Sequence, residues 1–214
     1  MFHRISPDID ELWPSLKPHQ FEKFIQLLTY NFDIISLEEI KTQCFLNKNL
    51  FIITFDDGYK DFLNNAIPIL NKYKIKVNLN ICPNLINTNS LPWTQKLNVL
   101  LSKKNNTIIE IIKDFNIDIR NNNNLGEETF NNICNKIHSL DNSKYNSFIE
   151  RLNSIEFKFE KILLNWDELL ECKKRNVLIG NHSFNHLNLN KLDEKLLDSE
   201  IFDSKLEIEN RLNL

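Results

Sequence analysis

Over residues 1–82, short apolar stretches alternate with stretches whose apolar residues recur every three or four positions. Met1–Ile5 reads as a short strand. Phe21, Phe24, Ile25 and Leu28 then share one helix face, at i, i+3, i+4 and i+7. Asp33–Ile35 is a short apolar stretch. Ser36 follows as an N-cap, with Glu39 at the capping-box position and a helix running toward Leu46. Leu50–Phe55 is continuously apolar, as a strand covered on both faces of a parallel sheet should be. Phe62, Ala66, Ile69, Leu70 and Tyr73 again share a helix face, bent by Pro68. Ile75, Val77, Leu79 and Ile81 alternate as in a strand. The resulting order, β-α-β-α-β-α-β, predicts parallel strands joined by right-handed crossovers.

The rhythm breaks after that. Thr94–Asn165 reads as several polar helices, Trp166–Arg175 as another helix, and Val177–Gly180 as a strand. A long final helix carries Leu197, Ile201, Ile208 and Leu212 on one stripe. No internal repeat or linker divides the chain. It is expected to be a single α/β domain spanning residues 1–214, with a helical insertion over about 94–165. A chain of 214 residues can bury a core without staples, and its 42% apolar and 26% charged residues argue against disorder. A net charge of −3 offers no basic field to nucleic acid or anionic lipid. No apolar run approaches the roughly 20 residues of a membrane span. Asp8, Asp10 and Glu11 stand where a signal peptide would be apolar, so a cytoplasmic location is expected. Cys44, Cys82, Cys134 and Cys172 form no CxxC pair and read as free thiols of a reducing compartment.

Two motifs carry chemistry. The first, Thr54-Phe55-Asp56-Asp57-Gly58-Tyr59, closes the apolar run. Adjacent carboxylates raise each other's pKa unless a cation sits between them. A regular strand would send them to opposite faces, but Gly58 lets the chain turn there. The rival reading is a solvated turn whose Asp opens the next helix. The second motif, Gly180-Asn181-His182-Ser183-Phe184-Asn185-His186, follows another strand. Histidines at i and i+4 share a face if the segment is helical and can hold one metal. The rival here is one surface and one packed histidine. Two of the chain's three glycines abut these motifs, and both motifs sit at strand ends, where α/β enzymes place their sites. Two His and one Asp make a three-ligand site with open positions, as in catalytic zinc centres, and leave the second Asp as a base. A non-haem iron centre would use the same ligand set but leaves that Asp without a role.

At these residues the sequence resembles the polysaccharide deacetylase family (the NodB homology domain, carbohydrate esterase family four). Thr54–Tyr59 looks like the family's first motif and His182–His186 like its second. Phe2-His3-Arg4-Ile5-Ser6, Phe21–Glu39, Ala66–Leu70 and Trp166–Leu169 resemble the segments around them. The resemblance implies an irregular (β/α) barrel and a metal-dependent hydrolase that removes the N-acetyl group from an acetamido sugar. Carried over by position, Asp57, His182 and His186 would hold the metal and Asp56 would be the catalytic base. Gly58, Tyr59 and Ser183 would support the loops; His3 would be a structural histidine of the first strand or, in the rival reading, lie near the pocket floor. The ion is expected to be Zn2+, with Co2+, Fe2+ or Ni2+ as substitutes, and the partner an N-acetylated sugar or glycan precursor.

The family pattern continues past its second motif with segments supplying an Arg and an aromatic-Pro pair, a Trp and an Asp, and a general-acid His. The residues up to Leu214 hold no counterpart. The resemblance therefore implies a barrel incomplete at the C-terminus, with three explanations open: a fragment of a longer enzyme, completion by a complementing chain or a homo-oligomer, or a shortened member whose insertion supplies substitutes. The alternative is a catalytically impaired, metal-binding relative or fragment that binds a glycan or a partner chain. Besides His19, the remaining histidine is His138, in the insertion, and it is not expected to replace the acid.

Overall fold

A computed structural model describes residues 1–42, 49–88, 90–117 and 125–214, without the side chains of 41 and 42. The expected helix end near Leu46, and Cys44, lie outside the described residues.

The run Leu50–Phe55 holds the sheet together but is not one strand. β1 (Asp33–Ile34) pairs in parallel with β2 (Leu50–Phe51). β3 (Thr54–Phe55) pairs in parallel with β4 (Val77–Ile81), which pairs along its length with β5 (Val177–Asn181). The run divides because its neighbours change. Asp33 and Ile35 donate their N–H groups to Asn49 and Phe51, whereas beyond that point Asn78 N–H reaches Ile53. On the same stretch Phe2 N–H donates to Thr54 at 2.8 Å and Asp56 N–H donates to Phe2 at 2.9 Å. The strand expected at Met1–Ile5 reduces to this contact and a bridge from Ile5 to Leu16. Between them Arg4 is drawn aside by its ion pair with Asp61, 2.7 Å long.

β4 lies at the centre of the order β3-β4-β5. It is therefore buried on both faces, at Val77, Asn78, Leu79 and Ile81, instead of alternating as expected. Among the described residues no strand pairs with the outer edge of β5, and the strands form two open parallel sheets, β1-β2 and β3-β4-β5, with no closed barrel; an incomplete barrel is what the resemblance implies.

Helices cover this sheet through the faces that their spacing predicts. α1 (Pro18–Asn31) starts with proline, whose missing N–H costs nothing there, and buries Phe21, Ile25 and Leu28. α2 (Leu37–Thr42) opens with the reciprocal Ser36–Glu39 bonds. The segment before α3 (Ile67–Lys72) is a π turn, Phe62–Ala66. Pro68 has no N–H to give Asn64, and Ile67 N–H bonds back to Phe62.

The insertion forms α4 (Trp93–Ser102), α5 (Asn106–Asp114), α6 (Glu127–Ser139) and α7 (Asn142–Ser154). They surround a core of their own that includes Leu97, Ile108, Ile112, Ile133 and Phe148. α8 (Trp166–Lys174), capped by Asn165, returns the chain to β5 and buries Leu169 and Cys172 against the sheet. Cys82, Cys134 and Cys172 are free thiols.

The expected continuous final helix is interrupted. α9 (Glu194–Asp198) passes through a π turn, Ser199–Asp203, into α10 (Ser204–Leu212). The widened turn changes the buried stripe to Glu200, Ser204, Ile208 and Leu212, and leaves the predicted Ile201 39% exposed. No helix among the described residues is long and apolar enough to cross a membrane.

Candidate metal centre

The site forms where β3 and β5 end. Beyond Phe55 the chain runs through Asp56 and then takes two left-handed residues in succession, Asp57 at φ +72° and Gly58 at φ +78°. The non-glycine residue carries strain of about 1–2 kcal/mol in that region, least for Asp and Asn. The turn gives the neighbouring carboxylates different surroundings. Asp56, 6% exposed, accepts a hydrogen bond on Oδ1 from Asn80 Nδ2 at 2.7 Å. Asp57, 1% exposed, faces two imidazoles: Nε2 of His182 at 3.5 Å and Nε2 of His186 at 3.2 Å from its Oδ1.

The histidines are not on a helix. His182–His186 is a loop with Ser183 at φ +67° and His186 at φ +60°, and it brings the two rings to 5.3 Å between centroids. The loop is held from several sides. Ser183 Oγ accepts from His186 N–H at 3.1 Å. Cys82 Sγ donates to the His182 carbonyl at 2.9 Å. Asn84 donates its side-chain amide to Asn185 Oδ1 at 2.6 Å. Glu200, buried in the π turn, accepts from the N–H groups of Phe184 and Asn185, both at 2.9 Å, and from Asn185 Nδ2 at 2.6 Å.

Tyr59 is a fully buried wedge. Its backbone bridges to Leu163, and Arg4 lies 5.1 Å over its ring. Burial, helped by the charge of Asp57, pushes its phenol well above the usual range. His3 lies beside the site but outside the triad. Its Nδ1 is buried without a hydrogen bond, and its ring stands edge-on to Trp13 at 5.7 Å. His138 shares a cavity of about 470 Å³ with His182, His186 and Trp93, and its Nδ1 lies 3.1 Å from Asn188 Nδ2.

Burial pulls the Asp57 carboxyl upward. The neighbouring ring of His186, and charge on His186, His3 and His182, outweigh it and hold the group below the ordinary carboxylate range. Burial lowers the His182 imidazole, against the opposing charges of Asp56 and Asp57. Both shifts run toward the ionised carboxylate of Asp57 and the neutral imidazole of His182, the forms in which such groups ligate a metal.

The residues fit a divalent ion. Asp57, His182 and His186 offer one donor atom each within 4.8 Å of one another. Donors on a tetrahedral ion with bonds of ~2.1 Å stand about 3.4 Å apart, close to the 3.5 and 3.2 Å measured from Asp57 Oδ1. That oxygen is buried and receives no well-formed hydrogen bond, a costly arrangement for an anion without a cation. Carboxylate and imidazole suit zinc and other first-row ions alike.

Two contributors escaped the sequence reading. Glu200 had been hidden in an apolar stripe. Asn80 could have been found, because Asn78 and Asn80 place amides on one face of an otherwise apolar strand.

A sequence model of the family described as polysaccharide deacetylase matches residues 46–213. Among solved structures, the chain is similar over its whole length to the Streptococcus pyogenes deacetylase PplD, solved in complex with acetate, at 18% identity and a TM-score of 0.56, covering 67% of that chain. It is likewise similar over its whole length to IcaB from Ammonifex degensii, at 13% identity and a TM-score of 0.58, covering 68%. A polysaccharide deacetylase from Bacillus cereus gives 15% identity and a TM-score of 0.56, with 46% of its length covered. No match was found among the curated proteins.

Proposed function

The chain belongs to the polysaccharide deacetylase family, and on that premise we propose that it is a metal-dependent hydrolase that removes the N-acetyl group from an acetamido sugar in a glycan or glycan precursor. One observation carries the reading. The buried, unpartnered Oδ1 of Asp57 meets the Nε2 atoms of His182 and His186, and a second carboxylate, Asp56, stands beside them held by an amide instead of a cation.

In this reading Asp57, His182 and His186 hold the ion. When bound, a divalent ion supplies Lewis acidity, making water acidic near neutrality and polarising an acetamide carbonyl. Asp56 is the general base and takes the proton of the attacking water. Glu200, Ser183 and Asn84 fix the loop so that both imidazoles present Nε2 to one point. Tyr59 and Gly58 hold the turn that separates the roles of the two carboxylates. The products are acetate and a free sugar amine.

The deciding experiment follows release of primary amine from N-acetylglucosamine oligomers by the zinc-loaded chain and by Asp56→Asn, with bound zinc measured in both. The expected result is about one zinc per chain in each, and a loss of roughly 10²–10⁴-fold in rate for the variant. Persisting activity in Asp56→Asn would remove the base assignment. Zinc bound equally well by a His182→Ala, His186→Ala variant would remove the ligand assignment.

A further inference from the structure

Gly180 has no conformational reason to be glycine. Gly58 is the glycine with a positive φ, and the backbone at Gly180 is ordinary parallel strand that any residue adopts. The reason lies across the ladder. Asn80 on β4 stands opposite Gly180 on β5. Carrying the β3–β4 register one step beyond Phe55 and Leu79 puts Asp56 on the other side of Asn80. Three residues thus form one row across three strands. Asn80 Nδ2 donates to Asp56 Oδ1 at 2.7 Å. Its own Oδ1 lies over Gly180, where a Cβ would stand 2.3 Å from that oxygen and 3.3 Å from Cγ. A contact of 2.3 Å cannot be kept, so any other residue at 180 must displace the amide that holds Asp56.

We propose that Asn80 is the positioning residue of the Asp56 carboxylate and that Gly180 is the space that allows it. The proposal rests on Asp56 being the base. Unrestrained, the buried carboxylate of Asp56 is free to turn about its Cα–Cβ and Cβ–Cγ bonds toward the imidazoles that Asp57 faces. The Asn80 amide fixes one oxygen, and with it the plane of the group, and leaves the second oxygen to take a proton. It thereby sorts two adjacent, chemically identical side chains into one that ligates and one that does not.

The test is a double-mutant cycle of the chain, Asn80→Ala, Gly180→Ala and both together. It has two readouts: the melting midpoint of the metal-free protein, and zinc-dependent hydrolysis of 4-nitrophenyl acetate. The nitrophenolate leaves without a proton, so this rate reports on water activation alone. Each single variant is expected to keep about one zinc per chain and to lose roughly 10–10²-fold in kcat with little change in KM. Gly180→Ala should lower the melting midpoint when Asn80 is present but not in the Asn80→Ala background, and the double variant should be no slower than Asn80→Ala. Wild-type kcat in Asn80→Ala, or losses that multiply in the double variant, would overturn the proposal. Failure of the underlying reading looks different: Asp56→Asn would then hydrolyse the ester as fast as the wild type, or the zinc-loaded wild type would not hydrolyse it at all. Even in that event, additive melting shifts in the metal-free cycle would overturn the Asn80–Gly180 pairing by themselves.

Discussion

Gly58 and Gly180 flank the same site for opposite physical reasons. At Gly180 only space is needed. At Gly58 the backbone itself is left-handed, at φ +78°, and a Cβ would also stand 3.1 Å from Ile81 Cγ2. Gly58→Ala therefore adds a left-handed penalty of roughly 1–2 kcal/mol to a tight contact with a buried side chain. For a chain of this size that corresponds to a fall of about 2–8 °C in melting midpoint, measured by calorimetry on the metal-free protein. A midpoint within a degree of the wild type would mean that the turn relaxes freely. Asp57 shares the left-handed conformation without being glycine. It keeps a strained backbone where, in the proposed function, its side chain would hold the ion, so the strain marks a position that function and not the turn selects.

At the scale of elements, the loop from His182 to His186 has no ladder of its own and borrows its order from the π turn behind it. Glu200 is 3% exposed and accepts three hydrogen bonds from that loop. Glu200→Gln keeps the size but sets an amide N–H2 against donors that need acceptors. Metal affinity is expected to fall roughly 10–100-fold, the usual cost of removing a group that orients ligands. Competition with a chromophoric chelator measures it, and an unchanged affinity would show that Asn84 and Ser183 hold the loop without help. The same turn shows what the sequence could and could not disclose. The faces of α1, the Ser36–Glu39 cap and both strand-end motifs were legible because they depend on neighbours three or four positions away. The stripe through Leu197 and Ile201 failed because it assumes a constant 100° per residue, and the π turn at Ser199–Asp203 breaks that assumption. The shared face expected for His182 and His186 was reached by left-handed residues in a loop, not by a helix. Asn80 left a signal, an amide on the same face as Asn78 in an otherwise apolar strand, but its partners Asp56 and Gly180 follow from cross-strand register, which a single strand does not encode.

At the scale of the molecule, the sheet core and the insertion core meet around the histidine loop. Tyr145 of α7 accepts from Asn188 N–H at 3.2 Å, and Lys191 donates to the Leu140 carbonyl at 2.7 Å. His138 of α6 stands 3.1 Å from Asn188 Nδ2, between Trp93 and Tyr145. Protons should therefore reach both cores through their imidazoles. Burial lowers His138, with help from charge on His186 and Lys191, and burial also lowers His182, both from an ordinary 6.5. In the window below 6.5 the unfolded chain then binds more protons than the folded one. Stability must rise with pH there, being fully present above the unfolded value and declining as pH falls. Asp57 acts with the same sign in a lower window. Its carboxyl is held below the ordinary 3.8, so its contribution is present above that value and is lost as pH falls further. A bound ion would add to the slope, because it and protons would compete for the same nitrogens. The melting midpoint of the metal-free chain should fall between pH 7.5 and 5.5. The zinc-loaded chain should melt higher at pH 7.5, and that margin should shrink toward pH 5.5. Replacing His138 with Gln should flatten the metal-free profile while leaving zinc bound, since His138 packs between the cores without joining the triad. A metal-free midpoint that is level across this range would mean that the imidazoles titrate alike in the folded and unfolded chains, and that burial at the junction of the two cores does not set their charge.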